Sequence, residues 1–238
     1  MKFRKFLFYI LYFITFLFLF FGIIFVKYRF IFMSILSFLF YFLISFVKRL
    51  FNFEISFVFE FIMKFFIFLA LICGEILNFY SYISFFDNFL HFFAGFISGC
   101  FGLSIFSYFI FRCKSNVFLR GLFILSFSMM IGVFWEFFEF GVDRVFSFDM
   151  QKDTLVESVN SVYLNDSNLN SVFSISDILY TIIYTEDSFI EVQGGYLDIG
   201  LYDTLEDMRF NMFGALVLLI FLLFNFSFTN KFVISVKK

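Results

Sequence analysis

Six apolar runs, separated by short polar or charged connections, set the pattern of the chain: Phe6–Val26, Phe30–Val47, Phe57–Leu77, Phe89–Phe111, Val117–Gly141 and Phe210–Phe228. A hydrocarbon core of about 30 Å is crossed by roughly 20 apolar residues in helical form, so each run predicts a membrane-spanning helix. The first follows Lys2, Arg4 and Lys5 and lacks an A-x-A-like end. It is also longer than the apolar core of about 7–15 residues in a signal peptide, and is expected as a retained helix. The third run is the least clean, because it holds Glu60, Lys64 and Glu75. Glu60 and Lys64 stand at i,i+4 in the favourable order and can neutralise each other. Proline is absent, so no span is expected to carry a proline kink.

Between the fifth and sixth runs the pattern changes. Residues 143–208 hold only four phenylalanines, Phe146, Phe148, Phe173 and Phe189, and are rich in Asn, Ser, Asp and Thr. Leu155–Leu164 alternates in part, and Ile178–Thr185 and Phe189–Gln193 flank the turn-like Glu186-Asp187-Ser188 as a hairpin. The expected fold is an all-α integral membrane protein of about six transmembrane helices, with a small extracytoplasmic β-rich insertion between helices 5 and 6. By residue, two N-terminal spans occupy 1–56, spans three to five 57–141, the acidic insertion 142–208, and the last span with its tail 209–238.

Composition agrees. Hydrophobic residues make up 62% and charged residues 15%, with a mean hydropathy of +0.97, against roughly 45–50% and about 25% in soluble domains. Such a chain needs the lipid bilayer as its solvent. The net charge of −2 conceals a segregation, since 13 of the 19 acidic residues lie between Asp143 and Asp207. No basic face or stripe of the kind nucleic acid requires is visible. Eleven of the 17 Lys and Arg residues fall at the two ends and in the Lys48 and Arg112–Arg120 connections, and five in the alternate ones. The positive-inside rule then puts both termini in the cytoplasm of a multi-pass cell-membrane protein and the insertion outside. Three cysteines (Cys73, Cys100, Cys113) without a CxxC predict buried thiols and no disulfide framework.

Polar residues inside the spans carry the candidate chemistry. Asp87 and His91, the only histidine, are one helical turn apart at the start of span four, and Gly95, Gly99 and Gly102 continue toward a close helix contact. Glu136, Glu139 and Asp143 follow i, i+3, i+7 at the end of span five, with Gly132 on that face. Asp203, Asp207 and Asn211 follow i, i+4, i+8 into span six, with Gly214 nearby. In the inferred topology all three stripes reach one membrane depth near the outer surface, where Glu75 and Asn78 also end span three. A charge at a span centre costs about 2.5–3.5 kcal/mol on insertion scales, so these groups are expected to face the bundle. Against many carboxylates stand few cations, Arg144, Arg209 and a charged His91. Either some carboxyls are protonated or a bound cation neutralises them.

The candidate metal ligands are therefore Asp87, His91, Glu136, Glu139, Asp203 and Asp207. One imidazole among oxygens suits Zn, Mn or Fe, and oxygens alone suit Ca or Mg, so a divalent metal is the candidate cofactor. A hydrogen-bonded polar layer that pins three helices and the insertion is the structural alternative. An ion or proton-coupled transporter is a further one, opposed by the lack of a matching stripe toward the cytoplasmic half. If the protein is an enzyme, a metal-assisted hydrolase or transferase acting on lipid or an envelope precursor is expected, with Glu136 or Glu139 as general base and His91 as ligand or acid. A polar lipid headgroup or envelope precursor is the candidate ligand. No Ser-His-Asp order, P-loop or HExxH is present.

These residues resemble the YjdF-like family of uncharacterised bacterial membrane proteins and, more distantly, the VanZ-like glycopeptide-resistance membrane proteins. The resemblance rests on Asp87-x-x-x-His91 before a small-residue helix, on Trp135-Glu136-x-x-Glu139, and on Asp203-Thr204-x-x-Asp207-Met208 before Gly214-Ala215, within residues 75–225. It implies a multispanning inner-membrane protein without an agreed activity. Glu206 stands where the family often has an aromatic.

Overall fold

The computed structural model describes residues 2–50, 53–110, 116–165, 170–224 and 235–236. The protein is an all-α membrane protein with a small β-rich segment between its last two long helices. In chain order come α1 (Lys2–Ile24), α2 (Tyr28–Leu50), β1 (Phe53–Glu54), α3 (Phe57–Ile67) continued by a π-helical stretch (Phe68–Ile76), the short α4 (Phe79–Tyr82), α5 (Phe86–Ile110) and α6 (Val117–Phe146). Then follow β2 to β7 within 154–198, α7 (Leu201–Leu223) and β8 (Ser235–Val236), which pairs antiparallel with β1.

Among the described residues five helical segments, α1, α2, α3 with its π-stretch, α5 and α6, are long and apolar enough to cross a membrane. The sixth expected span, Phe210–Phe228, coincides with the apolar part of α7, and its residues beyond 224 lie outside the described ones. The helices overrun the apolar runs at their polar ends. The run Phe89–Phe111 begins as a helix at Phe86, which takes Asp87 into the first turn, and Val117–Gly141 continues to Phe146.

By internal packing the chain divides into two compact units, Met1–Val133 with Asp207–Lys238, and Phe134–Glu206. In the first, Phe59 and Met63 of α3 pack with Cys100 and Leu103 of α5, Ile124 of α6, and Ala215 and Leu218 of α7. Lipid tails are as apolar as these side chains, so close packing and interhelical hydrogen bonds hold such helices together more than hydrophobic burial does. Two intramembrane carboxylates, Glu60 and Glu75, have basic partners. Glu60 accepts from Lys64 Nζ at 2.9 Å, as their spacing predicts, and from Lys48 Nζ at 2.7 Å. Lys64 also donates to the Tyr12 hydroxyl at 2.8 Å and lies over the Phe8 ring. Glu75 is buried and pairs with Arg29, whose Nε is 3.1 Å from its Oε2.

Span three departs from a regular helix without proline. Its second half is the π-stretch, in which Ala70 through Ile76 are all buried, and Asn78 turns the chain at φ +61°. Ala70 and Cys73 pack there against Phe86 and Leu90 of α5. Cys73 and Cys100 are buried free thiols, as expected, and Cys113 lies outside the described residues.

In the second unit the strands form three antiparallel pairs: β2 (Thr154–Val156) with β7 (Tyr196–Asp198), β3 (Val159–Ser161) with β4 (Phe173–Ile175), and β5 (Tyr180–Tyr184) with β6 (Phe189–Gln193). The third pair is the expected hairpin. The partly alternating Leu155–Leu164 divides into β2 and β3 at Glu157-Ser158 and pairs with two different partners. Asp153 lies exposed beside Asp149, Asp198 and Asp143. Partial desolvation and then the repulsion of these carboxylates raise its carboxyl above the usual 3.8. A raised value disfavours the charged form in the fold, so this group's penalty grows as pH rises from about 3.8 through the raised value and is constant above it. Asp153→Asn is expected to slow proteolysis of the insertion slightly at neutral pH and to change nothing at pH 3. An equal effect at both would remove the electrostatic account.

Candidate functional site

Close backbone contact between α5 and α7 builds the site in the first unit. A methyl group at Gly95 would overlap the Asn211 carbonyl, and one at Gly214 the Phe92 carbonyl. Only hydrogen at both positions lets the helices meet this closely, as small residues do in membrane helix pairs. Beside this contact, Ser98 Oγ lies 3.0 Å from Ser128 Oγ, which lies 2.7 Å from Asn211 Oδ1 and 3.1 Å from the Gly95 carbonyl. All are buried. The small network ties α5, α6 and α7 together at one level.

One turn before Gly95 and Asn211 stand His91 and Asp207. His91 Nε2 is 3.1 Å from Asp207 Oδ2 and 3.5 Å from Asp87 Oδ1. Asp207 is 2% exposed and His91 9%, while Asp87 is half-buried at the start of α5. The i,i+4 phase of α5 places Asp87 under His91, and the glycine contact brings Asp207 across from α7.

This trio fits a metal ion by geometry. Its three ligand atoms lie within 4.8 Å of one another. Two ligands on a tetrahedral ion with bonds of about 2.1 Å are separated by about 3.4 Å, and the observed 3.1 and 3.5 Å bracket that edge. The same distances suit an Nε2–H donated to Asp207, with Asp87 as the longer contact of the same nitrogen. The donor set, one imidazole and two carboxylates, is one that zinc, manganese or iron accepts.

Glu136, Glu139 and Asp203 belong to the second unit. Glu136 and Glu139 are both buried, at 5% and 7% exposure. Glu136 accepts from the Thr204 hydroxyl at 2.9 Å, and Thr204 accepts from Gln151 Nε2 at 2.7 Å. Asp203 accepts the Lys152 amide at 2.8 Å, and Asp143 takes the Met150 and Gln151 amides at 2.7 and 2.9 Å. Asp143 and Asp203 thus bind the chain of the insertion at its beginning. Gln151 and Ser128 were not singled out by the sequence, and Thr204 only as part of the Asp203-Thr204-x-x-Asp207 block. Ser128 had a signal, standing four and eight residues before Gly132 and Glu136 on one helical face. Gln151 had none.

A family model described as Predicted membrane protein (DUF2238) matches residues 6–227. The chain belongs to this family. The DUF2238 match takes in the first two spans as well as the blocks around Asp87, Trp135 and Asp203. No curated protein and no solved structure matches the chain.

Proposed function

We propose that this DUF2238 protein binds a divalent metal ion through Asp87, His91 and Asp207, near the outer face of the cell membrane. The observation that carries the reading is His91 Nε2 between two carboxylate oxygens at 3.1 and 3.5 Å, with Asp207 and His91 buried. Charge supports the reading: a divalent ion with two carboxylates and a neutral imidazole sums to zero, and intramembrane charge is costly. The Lys and Arg asymmetry supports cytoplasmic termini and an external insertion. The resemblance to YjdF-like proteins supports the same three sequence blocks. Within the second unit, the buried carboxylates Glu136 and Glu139 remain the candidates for a general base.

Elemental analysis of the detergent-purified protein tests this. The wild type is expected to carry about one divalent ion per chain. His91→Ala and Asp207→Ala should be close to metal-free, and Glu186→Gln in the hairpin turn should match the wild type. Acidification should release the ion, because protons compete for the same ligand atoms. A metal-free wild type, with both alanine variants only less stable, would leave the trio as a structural polar layer.

A further inference from the structure

A stripe of polar side chains runs along α1, α2 and α3, helices of the first unit that contribute no ligand to the Asp87–His91–Asp207 site. On α2, Ser34, Ser37, Tyr41, Ser45 and Lys48 recur at steps of three and four residues, which places them on one helical face. From Arg29 to Lys48 the helix rises about 28 Å, close to the roughly 30 Å of a hydrocarbon core. Ion pairs stand at both ends of this length: Glu60 with Lys48 and Lys64 at one, Glu75 with Arg29 at the other.

Buried hydroxyls occupy the levels between. Lys64 Nζ donates to the Tyr12 hydroxyl at 2.8 Å and lies 3.5 Å from Ser45 Oγ. The rings of Tyr12 and Tyr41 pack with centroids 5.4 Å apart, and Tyr41 Oη is 3.5 Å from Thr15 Oγ1. Thr15, Ser37 and Ser34 are each 0% exposed. Thr15 and Ser37 donate to the carbonyls of Leu11 and Met33 four residues back, the ordinary way for a hydroxyl to be satisfied inside a span. Ser34 departs from it, because its Oγ has no hydrogen-bond partner among the described residues. An unsatisfied buried hydroxyl is a net cost, so packing alone favours alanine at this position. The π-stretch that packs against α2 carries Glu75, and π-helical turns recur at functional sites.

We propose that this stripe is a proton path across the membrane between Glu60 and Glu75. It does not depend on the metal reading. A proton taken up by the Glu60 carboxylate replaces the one that the Lys64 ammonium gives to the Tyr12 oxygen. Each hydroxyl beyond accepts a proton on its oxygen and releases the one it carried, until Glu75 receives it and passes it to water. Only O–H and N–H bonds change, and every group returns to its starting form. Along α2 successive polar levels are about 4.5–7.5 Å apart, steps that one or two bridging waters cover at about 2.8 Å per hydrogen bond. Larger ions are excluded. Lys64 on the path repels metal cations, the carboxylates at both ends repel anions, and hydroxyls this deeply buried leave no bore for a hydrated ion.

The test reconstitutes the full chain in phosphatidylethanolamine and phosphatidylglycerol vesicles that enclose a pH-sensitive dye. A potassium gradient with valinomycin sets the membrane potential, in each polarity in turn, and the dye reports proton flux. The wild type is expected to conduct protons several-fold faster than protein-free vesicles, with sodium uptake at the protein-free level. Tyr41→Phe keeps the ring and removes the hydroxyl that meets Thr15, and Ser34→Ala removes only the unpartnered hydroxyl. Both should fall to the protein-free rate while remaining monodisperse on size exclusion. Ser104→Ala takes an equally buried hydroxyl from α5, off the path, and should conduct as the wild type does. A wild type no faster than protein-free vesicles would overturn the proposal. So would wild-type flux in both Tyr41→Phe and Ser34→Ala, which would make the hydroxyls a matter of helix packing, and so would sodium uptake that follows the proton flux.

Discussion

Gly95→Ala is expected to lose most of the folded protein, although it adds a single methyl group. The new Cβ would overlap the Asn211 carbonyl, and main chain cannot rotate away as a side chain can. To relieve the overlap, α5 and α7 must separate. Separation also breaks the Ser98–Ser128–Asn211 bonds and moves Asp207 away from His91. Overpacking typically costs 1–3 kcal/mol. A backbone clash that also strands buried polar groups should reach at least about 3 kcal/mol, which is roughly 10 °C of midpoint for a chain of this size. Gly214→Ala meets the Phe92 carbonyl and should behave alike. Gly141, on α6, has nothing within 4 Å of where its Cβ would stand. Gly141→Ala should therefore be neutral or stabilising, by up to about 1 kcal/mol from helix propensity. Heating detergent-solubilised variants and following the monodisperse fraction by size exclusion gives all three midpoints. If Gly95→Ala melts with the wild type, the close α5–α7 contact is wrong, and the site built on it falls as well.

That contact was half legible in the sequence. Gly95, Gly99 and Gly102 announce a helix face that another helix can approach, and Asp87 and His91 fall together because i,i+4 is a property of any α-helix. The spans and the β5–β6 hairpin were legible for the same reason, since each is written in a local period. Which acid of the α7 block would face His91 was not. Asp203 and Asp207 are one turn apart, and only the crossing of α5 and α7 selects Asp207 for the imidazole while Asp203 takes the Lys152 amide. Non-local pairing also hid the partner of Glu75. Arg29, 46 residues earlier, supplies the cation, and neither residue carries a local signal for the other. The π-stretch has no proline or glycine pair to declare it.

Glu60 offers the second large effect, and here the sequence and the structure agree on the pair. Lys64 is 2% exposed within α3, and its ammonium is held by Glu60 at 2.9 Å and by the Tyr12 hydroxyl at 2.8 Å. Removing one partner of a buried pair leaves an uncompensated charge and typically costs 3–5 kcal/mol. Glu60→Leu should therefore destabilise the helix bundle by about 3 kcal/mol, the low end, because Tyr12 still solvates the ammonium. Lys64→Met alone should cost less, since Glu60 keeps Lys48 at 2.7 Å. Replacing both, as Glu60→Leu with Lys64→Met, removes the charges together and should recover most of the loss, because apolar replacements of buried pairs are often neutral or better. The double-mutant cycle reads this coupling directly from thermal midpoints of the four proteins. Strict additivity of the two single effects would mean that the ammonium is solvated by water or lipid headgroups rather than by Glu60. Strong coupling would make the pair a charge-neutral pin in the helix bundle.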